Sequence, residues 1–211
     1  MSALPKPSRL TAAEYLAVEN AADFRSEFYD GEMFLMAGAS PPHNYVKDNL
    51  NGELYLRLRG TPCRTASSDQ RVRVPSGLYT YPDIVVVCGR PEYDPLDPNT
   101  LANPAVVVEV LSPGTETYDR GVKLRHYQRI ESLREVVLAS QDRMLVEVYA
   151  RQPDGRWLHT AFDDPAGELE VPSLAVRVPL ADVYRGVELP DRPPLREHTP
   201  GPAPTRPPGS A

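Results

Sequence analysis

Two apolar runs constrain this chain more than any other feature: "PDIVVVC" from Pro82 to Cys88, and "PAVVVEV" from Pro104 to Val110. Neither alternates apolar with polar residues as a half-exposed strand does, so each is expected to be a strand covered on both faces. Such strands belong to folds in which helices pack on a central sheet. Yet each run carries a carboxylate, Asp83 at the start of the first and Glu109 near the end of the second. Ionising an isolated carboxylate in an apolar layer costs several kcal/mol unless a cation or hydrogen-bond donors meet it.

The flanking sequence supplies helices and further strands. Thr11 followed by Glu14 forms a capping box ahead of "AAEYLAVE", which predicts a short helix. Asp30-Gly31 between "FRSEFY" and "EMFLMAG" predicts a hairpin. Ser40 and Pro41 open a second helix, whose stripe of Val46, Leu50, Leu54 and Leu58 runs to about Arg59; Gly52 weakens it by about 1 kcal/mol. Short strands are expected near 62–66 and in "QRVRVP", and the proline- and aspartate-rich segment from Arg90 to Asn103 reads as a long loop. A helix from about Tyr118 to Ile130 is followed by strands in "REVVLAS" and "RMLVEVYA" and near 156–162 and 174–178. The expected fold is α/β, a central mixed sheet flanked by helices with a β-rich C-terminal third.

Composition bounds the rest. Eight prolines fall between Pro190 and Pro208, so residues 190–211 are expected to be a disordered tail with His198 solvated, and residues 1–189 to form a single domain. Cys63 and Cys88 lack the spacing of a zinc or redox motif, which reads as two free thiols in a reducing compartment. No apolar stretch reaches the length of about 18 residues that crosses a membrane, and the start lacks a signal-peptide segment. A cytoplasmic protein with no membrane partner is expected. The net charge of −6 opposes non-specific attachment to nucleic acid.

If the two apolar strands are neighbours, Asp83 and Glu109 converge at a sheet edge, and convergent hard oxygens suit magnesium or manganese. A two-carboxylate site that leaves waters on the ion fits phosphoryl chemistry better than a structural cage. Blander readings stand beside this one: an aspartate after proline also opens strands, and a glutamate near a strand end also serves as an ion-pair partner.

The segments "SEFYDGEMFLMAGASPPHNYV", "YPDIVVVC" and "PAVVVEVLSPGTETYDRGVKLRHYQRI" resemble the Uma-type putative restriction endonuclease family, a branch of the PD-(D/E)XK nuclease superfamily. The resemblance runs from about Phe24 to Tyr184. It implies a restriction-endonuclease-like mixed sheet, magnesium as cofactor with manganese as substitute, and hydrolysis of phosphodiester bonds, with DNA as substrate. By resemblance Asp83 is the aspartate of the PD element and Glu109 the second acid, with the Val110 carbonyl a further metal ligand. Glu27 matches the glutamate before the hairpin glycine, and His43 the histidine opening the following helix. The superfamily lysine should stand two residues after Glu109, where this chain has Leu111; the resemblance moves that role to Lys123.

Spacing supports the move, because Lys123, Tyr127 and Ile130 share a helical face, with Asp119 one turn earlier. An ordinary surface lysine remains the alternative for Lys123, a packed histidine at a helix start for His43, and an outer-sphere acid for Glu27. Arg57, Arg59, Arg64, Arg71 and Arg73 are expected to give a local basic face despite the acidic total. A homodimer follows if both strands are cut. The competing class is a catalytically inactive nuclease fold that binds nucleic acid or a protein partner; hydrolysis of another phosphoester would keep the same metal site.

Overall fold

The two apolar runs form neighbouring strands. In this computed structural model, which describes residues 9–36 and 38–190, β6 (Ile84–Cys88) pairs antiparallel with β9 (Val106–Leu111), Ile84 opposite Val108. They sit inside a six-stranded mixed sheet. Its other members are β3 (Cys63–Ser67) beside β6, then β10 (Glu135–Ser140), β11 (Val146–Arg151) and β12 (Trp157–Phe162) beyond β9. The β9–β10 pair is parallel and the remaining pairs are antiparallel.

Alternate side chains of β6 and β9 enter two different cores, which is why neither run alternates with polar residues. Ile84, Val86, Val106 and Val108 pack with Val46, Leu50 and Leu54 of α2 (Pro41–Arg57). Val85, Val107 and Leu111 pack on the opposite face with Leu124, Tyr127 and Ile130. That second face is covered by one continuous helical stretch: α3 (Glu116–Tyr118), a π-helical turn over Asp119–Lys123, and α4 (Leu124–Tyr127).

The local signals account for the helix starts and the hairpin. Thr11 and Glu14 form the full capping box of α1 (Ala12–Ala21), and the Ser40 hydroxyl accepts from the His43 N–H at the start of α2. β1 (Ser26–Tyr29) and β2 (Glu32–Leu35) turn at Asp30 and Gly31, both with positive φ, 49° and 85°. This is the backbone that a two-residue hairpin demands. A Cβ on Gly31 would lie 2.4 Å from the Cβ of Arg9, so glycine is required there twice over.

A second six-stranded mixed sheet was not expected. It contains the hairpin, β4 (Arg71–Arg73), β5 (Tyr79–Thr80), β7 (Tyr93–Asp94) and β8 (Asp97–Leu101), in the order β2-β1-β5-β4-β8-β7. The last two strands lie within the segment read as a loop. What orders it is tertiary: β8 runs parallel to β4, and buried Asp97 accepts from the guanidinium of buried Arg71 and from the Thr100 hydroxyl. Proline and aspartate have low strand propensity, so sequence alone points the other way.

The free-thiol reading is overturned. Cys63 and Cys88 face each other across the β3–β6 ladder and form a disulfide. Their separation of 25 residues concealed a direct cross-strand pairing. The C-terminal third ends in a hairpin of β13 (Glu168–Val171) and β14 (Val176–Pro179), followed by α5 (Leu180–Val183). Residues 191–211, including His198, lie outside the described residues. No helix among the described residues is long and apolar enough to cross a membrane.

Candidate active site

Strand register brings Asp83 and Glu109 together. With Ile84 opposite Val108 in an antiparallel pair, Asp83 falls opposite Glu109, on the face that Val85 and Val107 share. The Val110 N–H donates to Asp83 Oδ2 at 2.8 Å. In an extended strand a residue's N–H and C=O project to the same edge, so the Val110 carbonyl also faces the Asp83 side, past the last ladder pair. The N-terminal turn of α2 delivers His43, whose Nε2 lies 3.2 Å from Asp83 Oδ2 while its Nδ1 is buried without a partner.

Lys123 enters from the other side. Its side chain is buried, and Nζ lies 2.9 Å from Glu109 Oε1, 2.8 Å from Glu27 Oε1 and 3.7 Å from Asp119 Oδ1. The π-helical turn carries both Asp119 and Lys123; such turns widen a helix locally and are frequent at functional sites. Glu27 reaches the lysine from β1, held by the hydroxyls of Thr80 and Tyr118. Glu109 accepts a further hydrogen bond from the Tyr127 hydroxyl. All six sequence candidates, Glu27, His43, Asp83, Glu109, Val110 and Lys123, line one cavity of about 780 Å³. Sequence reasoning placed Tyr127 on the helical face of Lys123 without giving it a role at the site, and it missed Tyr118 and Thr80. Tyr127 stands four residues after Lys123, so helical spacing carried that signal.

The electrostatics are unbalanced. Burial pushes Glu27 up, but Lys123 and the two hydroxyls outweigh it and hold the carboxyl below its ordinary range. Burial pushes Glu109 up to about 8 against the pull of Lys123, with the Asp119 and Asp83 charges adding to the rise. Asp119 is raised by burial as well. Burial alone would lower Lys123, yet Glu109, Tyr127, Glu27 and Asp119 together raise it well above its ordinary value. The ammonium therefore stays charged with Glu27 as its ionised partner, and Glu109 holds a proton near neutrality unless another cation stands beside it.

The set of relatives decides the family. A sequence profile described as "Uma2: Putative restriction endonuclease" matches residues 12–181. The chain belongs to this family. Two relatives in Synechocystis sp., both uncharacterized proteins, are 32% identical over 183 residues (85% of this chain, 93% of the relative) and 35% identical over 162 residues (76% and 92%). The crystal structure of "a putative nuclease belonging to DUF820" from Anabaena variabilis shares the fold, with a TM-score of 0.68 at 21% identity, covering 83% of this chain and 97% of that one. Restriction-endonuclease-like nucleases generally use divalent metals, and the donor set of this Uma2 chain fits one. Asp83, Glu109 and the Val110 carbonyl offer hard oxygens at one strand end, and the site is short of positive charge. Among the described residues no three His, Cys, Asp or Glu side chains are grouped so as to hold a metal.

The expected basic face does not form as foreseen. Arg71 is buried against Asp97, Arg73 Nε lies 3.5 Å from Asp94, and Arg57 is paired with Glu53. The fold spends the charge of these three on carboxylates, while Arg59 and Arg64 stay exposed.

Proposed function

We propose that this protein is a magnesium-dependent nuclease that hydrolyses phosphodiester bonds of DNA, with manganese able to replace magnesium. The observation that carries the reading is Lys123 at 2.9 Å from Glu109: a helix supplies the ammonium that Leu111 cannot, beside two carboxylates at a strand end. Asp83, Glu109 and the Val110 carbonyl would hold the ion. Bound there, it would polarise a phosphoryl oxygen and lower the pKa of a water.

The chain's own groups do the rest. Lys123 presents a fixed ammonium where negative charge develops on the phosphoryl oxygens, and it needs no reorganisation because Glu27 and Asp119 already hold it. His43 and the Val110 N–H orient Asp83, while the Tyr127 hydroxyl orients Glu109. Fixed ligands of this kind keep metal affinity high. Cutting both strands of a duplex would require a homodimer; one nick requires one chain.

The test is incubation of the purified protein with plasmid and linear DNA, with and without magnesium or manganese, beside Asp83→Asn. Cleavage that needs the metal and disappears in the variant is expected. Wild-type-like cleavage by the variant refutes the site. The binding-only reading draws on the close pairing of Lys123 with carboxylates, and no cleavage by the wild type under any metal would favour it.

A further inference from the structure

We propose that the rim of this cavity is a stacking platform for unpaired bases, which makes single-stranded DNA the substrate class; the proposal rests on the phosphodiester reading above. In the β1–β2 hairpin Glu27 lies opposite Phe34, and the Met36 N–H donates to the Arg25 carbonyl at 3.0 Å, continuing the ladder. Alternate residues of a strand share a face. Arg25, Glu27, Phe34 and Met36 therefore project together, from the face on which Glu27 reaches Lys123.

Phe34 is 50% and Met36 41% exposed, and both line the cavity that holds the carboxylates, as does Phe24 at 48%. Large apolar side chains left exposed in one patch mark a contact surface. Its continuity with the carboxylate cavity makes the substrate the fitting occupant.

Charge distinguishes the form of that substrate. Duplex binding draws on many phosphate contacts from Lys and Arg. Here Arg57, Arg71 and Arg73 are tied to carboxylates, and the cations on the cavity lining are Arg25, Lys47 and Lys123. Arg25 lies over the Tyr81 ring, 5.7 Å from its centroid, and its one carboxylate partner among the described residues is the exposed Asp69, Nε at 3.6 Å from Oδ1, a pair a phosphate can displace. So few phosphate contacts leave much of the affinity to other forces. A duplex hides its base faces within its own stack, whereas a single strand offers each base to Phe34 and Phe24. Cutting one strand also needs only one copy of the site.

The competing occupant is a second copy of the chain. Among the described residues β2 is an edge strand paired only with β1, and such an edge can accept another strand.

The full chain is tested by fluorescence anisotropy with labelled oligothymidylate and a duplex of equal length, calcium replacing magnesium, then by magnesium-dependent cleavage of both. Phe34→Ala is compared with Leu158→Ala, which trims an exposed leucine on β12 outside the cavity lining. The single strand should bind about tenfold or more tightly than the duplex, and Phe34→Ala should lose about tenfold of that affinity. Leu158→Ala should lose none, with both melting points unchanged. Equal binding of duplex, or unchanged oligothymidylate affinity in Phe34→Ala, overturns the proposal. Conversion of a dimer to a monomer by Phe34→Ala with unchanged oligothymidylate affinity overturns it too and assigns the rim to a second copy. Preferential cutting of duplex refutes the proposal while leaving hydrolysis intact. Tight single-strand binding that is lost in Phe34→Ala, without any cleavage, supports the platform and refutes hydrolysis alone.

Discussion

Replacing Glu109 by glutamine should stabilise the metal-free protein, increasingly so as pH rises towards about 8. The folded chain holds the Glu109 proton until about 8, against an ordinary value of 4.5. Below 4.5 the carboxyl is protonated in both folded and unfolded chains, and its contribution to stability is intact. As pH rises the unfolded chain ionises freely while the buried group cannot, so stability falls at about 1.4 kcal/mol per pH unit until the folded carboxyl ionises near 8. The interval from 4.5 to about 8 corresponds to about 5 kcal/mol.

Glutamine removes that penalty and keeps an oxygen for the Tyr127 hydroxyl and the Lys123 ammonium. Its amide also brings two N–H donors where the acid has one O–H, and one left unpaired in the buried site costs about 1–3 kcal/mol. The net expectation at pH 8 in chelator is a gain of about 2–4 kcal/mol, seen as a midpoint about 5–10 °C higher in thermal melts followed by circular dichroism. At pH 5 the gain should vanish or reverse. Magnesium should raise the wild-type midpoint at pH 8 and leave that of Glu109→Gln nearly unmoved, since the ion would restore the charge balance only where the carboxylate exists. A variant less stable than wild type by the same margin at pH 5 and pH 8 would show that Lys123 already balances Glu109, and the charge deficit would be refuted.

Two further outcomes follow from the fold. Reduction of the Cys63–Cys88 disulfide opens a loop closed over 25 residues, so stability should fall by about 3 kcal/mol; identical melting points with and without dithiothreitol would contradict the pairing. A chain ending at Leu189 should keep its melting midpoint and its magnesium affinity by calorimetry, since Val187 and Leu189 still pack on the core; a drop of many degrees would place residues 190–211 within the folded unit.

What was legible in the sequence was what neighbouring residues decide. Thr11 with Glu14, Asp30 with Gly31 and Ser40 with Pro41 each fix a local backbone conformation, and each appears where expected. The unalternating runs around Val85 and Val107 announced burial on both faces, and they have it. The meeting of Asp83 with Glu109 needed only the assumption that these runs pair. What stayed hidden depends on partners far along the chain. β8 is ordered by an ion pair between Asp97 and Arg71, which the sequence shows only as two charges. Cys63 finds Cys88 through strand register, not spacing. The basic cluster is depleted for the same reason, since Arg71 and Arg73 meet carboxylates distant in the chain. At the site, resemblance pointed to Lys123, but only the π-helical turn and the hairpin explain why its amine lies between Glu27 and Glu109.

The central claim is that Lys123 supplies charge to the reacting phosphate without itself binding the cation, and Lys123→Met tests it most directly. Methionine keeps much of the apolar stem and removes the ammonium, so calorimetric magnesium or manganese affinity should persist or strengthen. Single-turnover cleavage should fall by about a hundredfold or more, the scale of losing one preorganised electrostatic contact. Lys123→Arg should rescue poorly, because a planar fork does not fit the point between Glu27 and Glu109 that a compact ammonium occupies. Cleavage by Lys123→Met at the wild-type rate, with metal affinity unchanged, would contradict the account and return this lysine to a purely structural role.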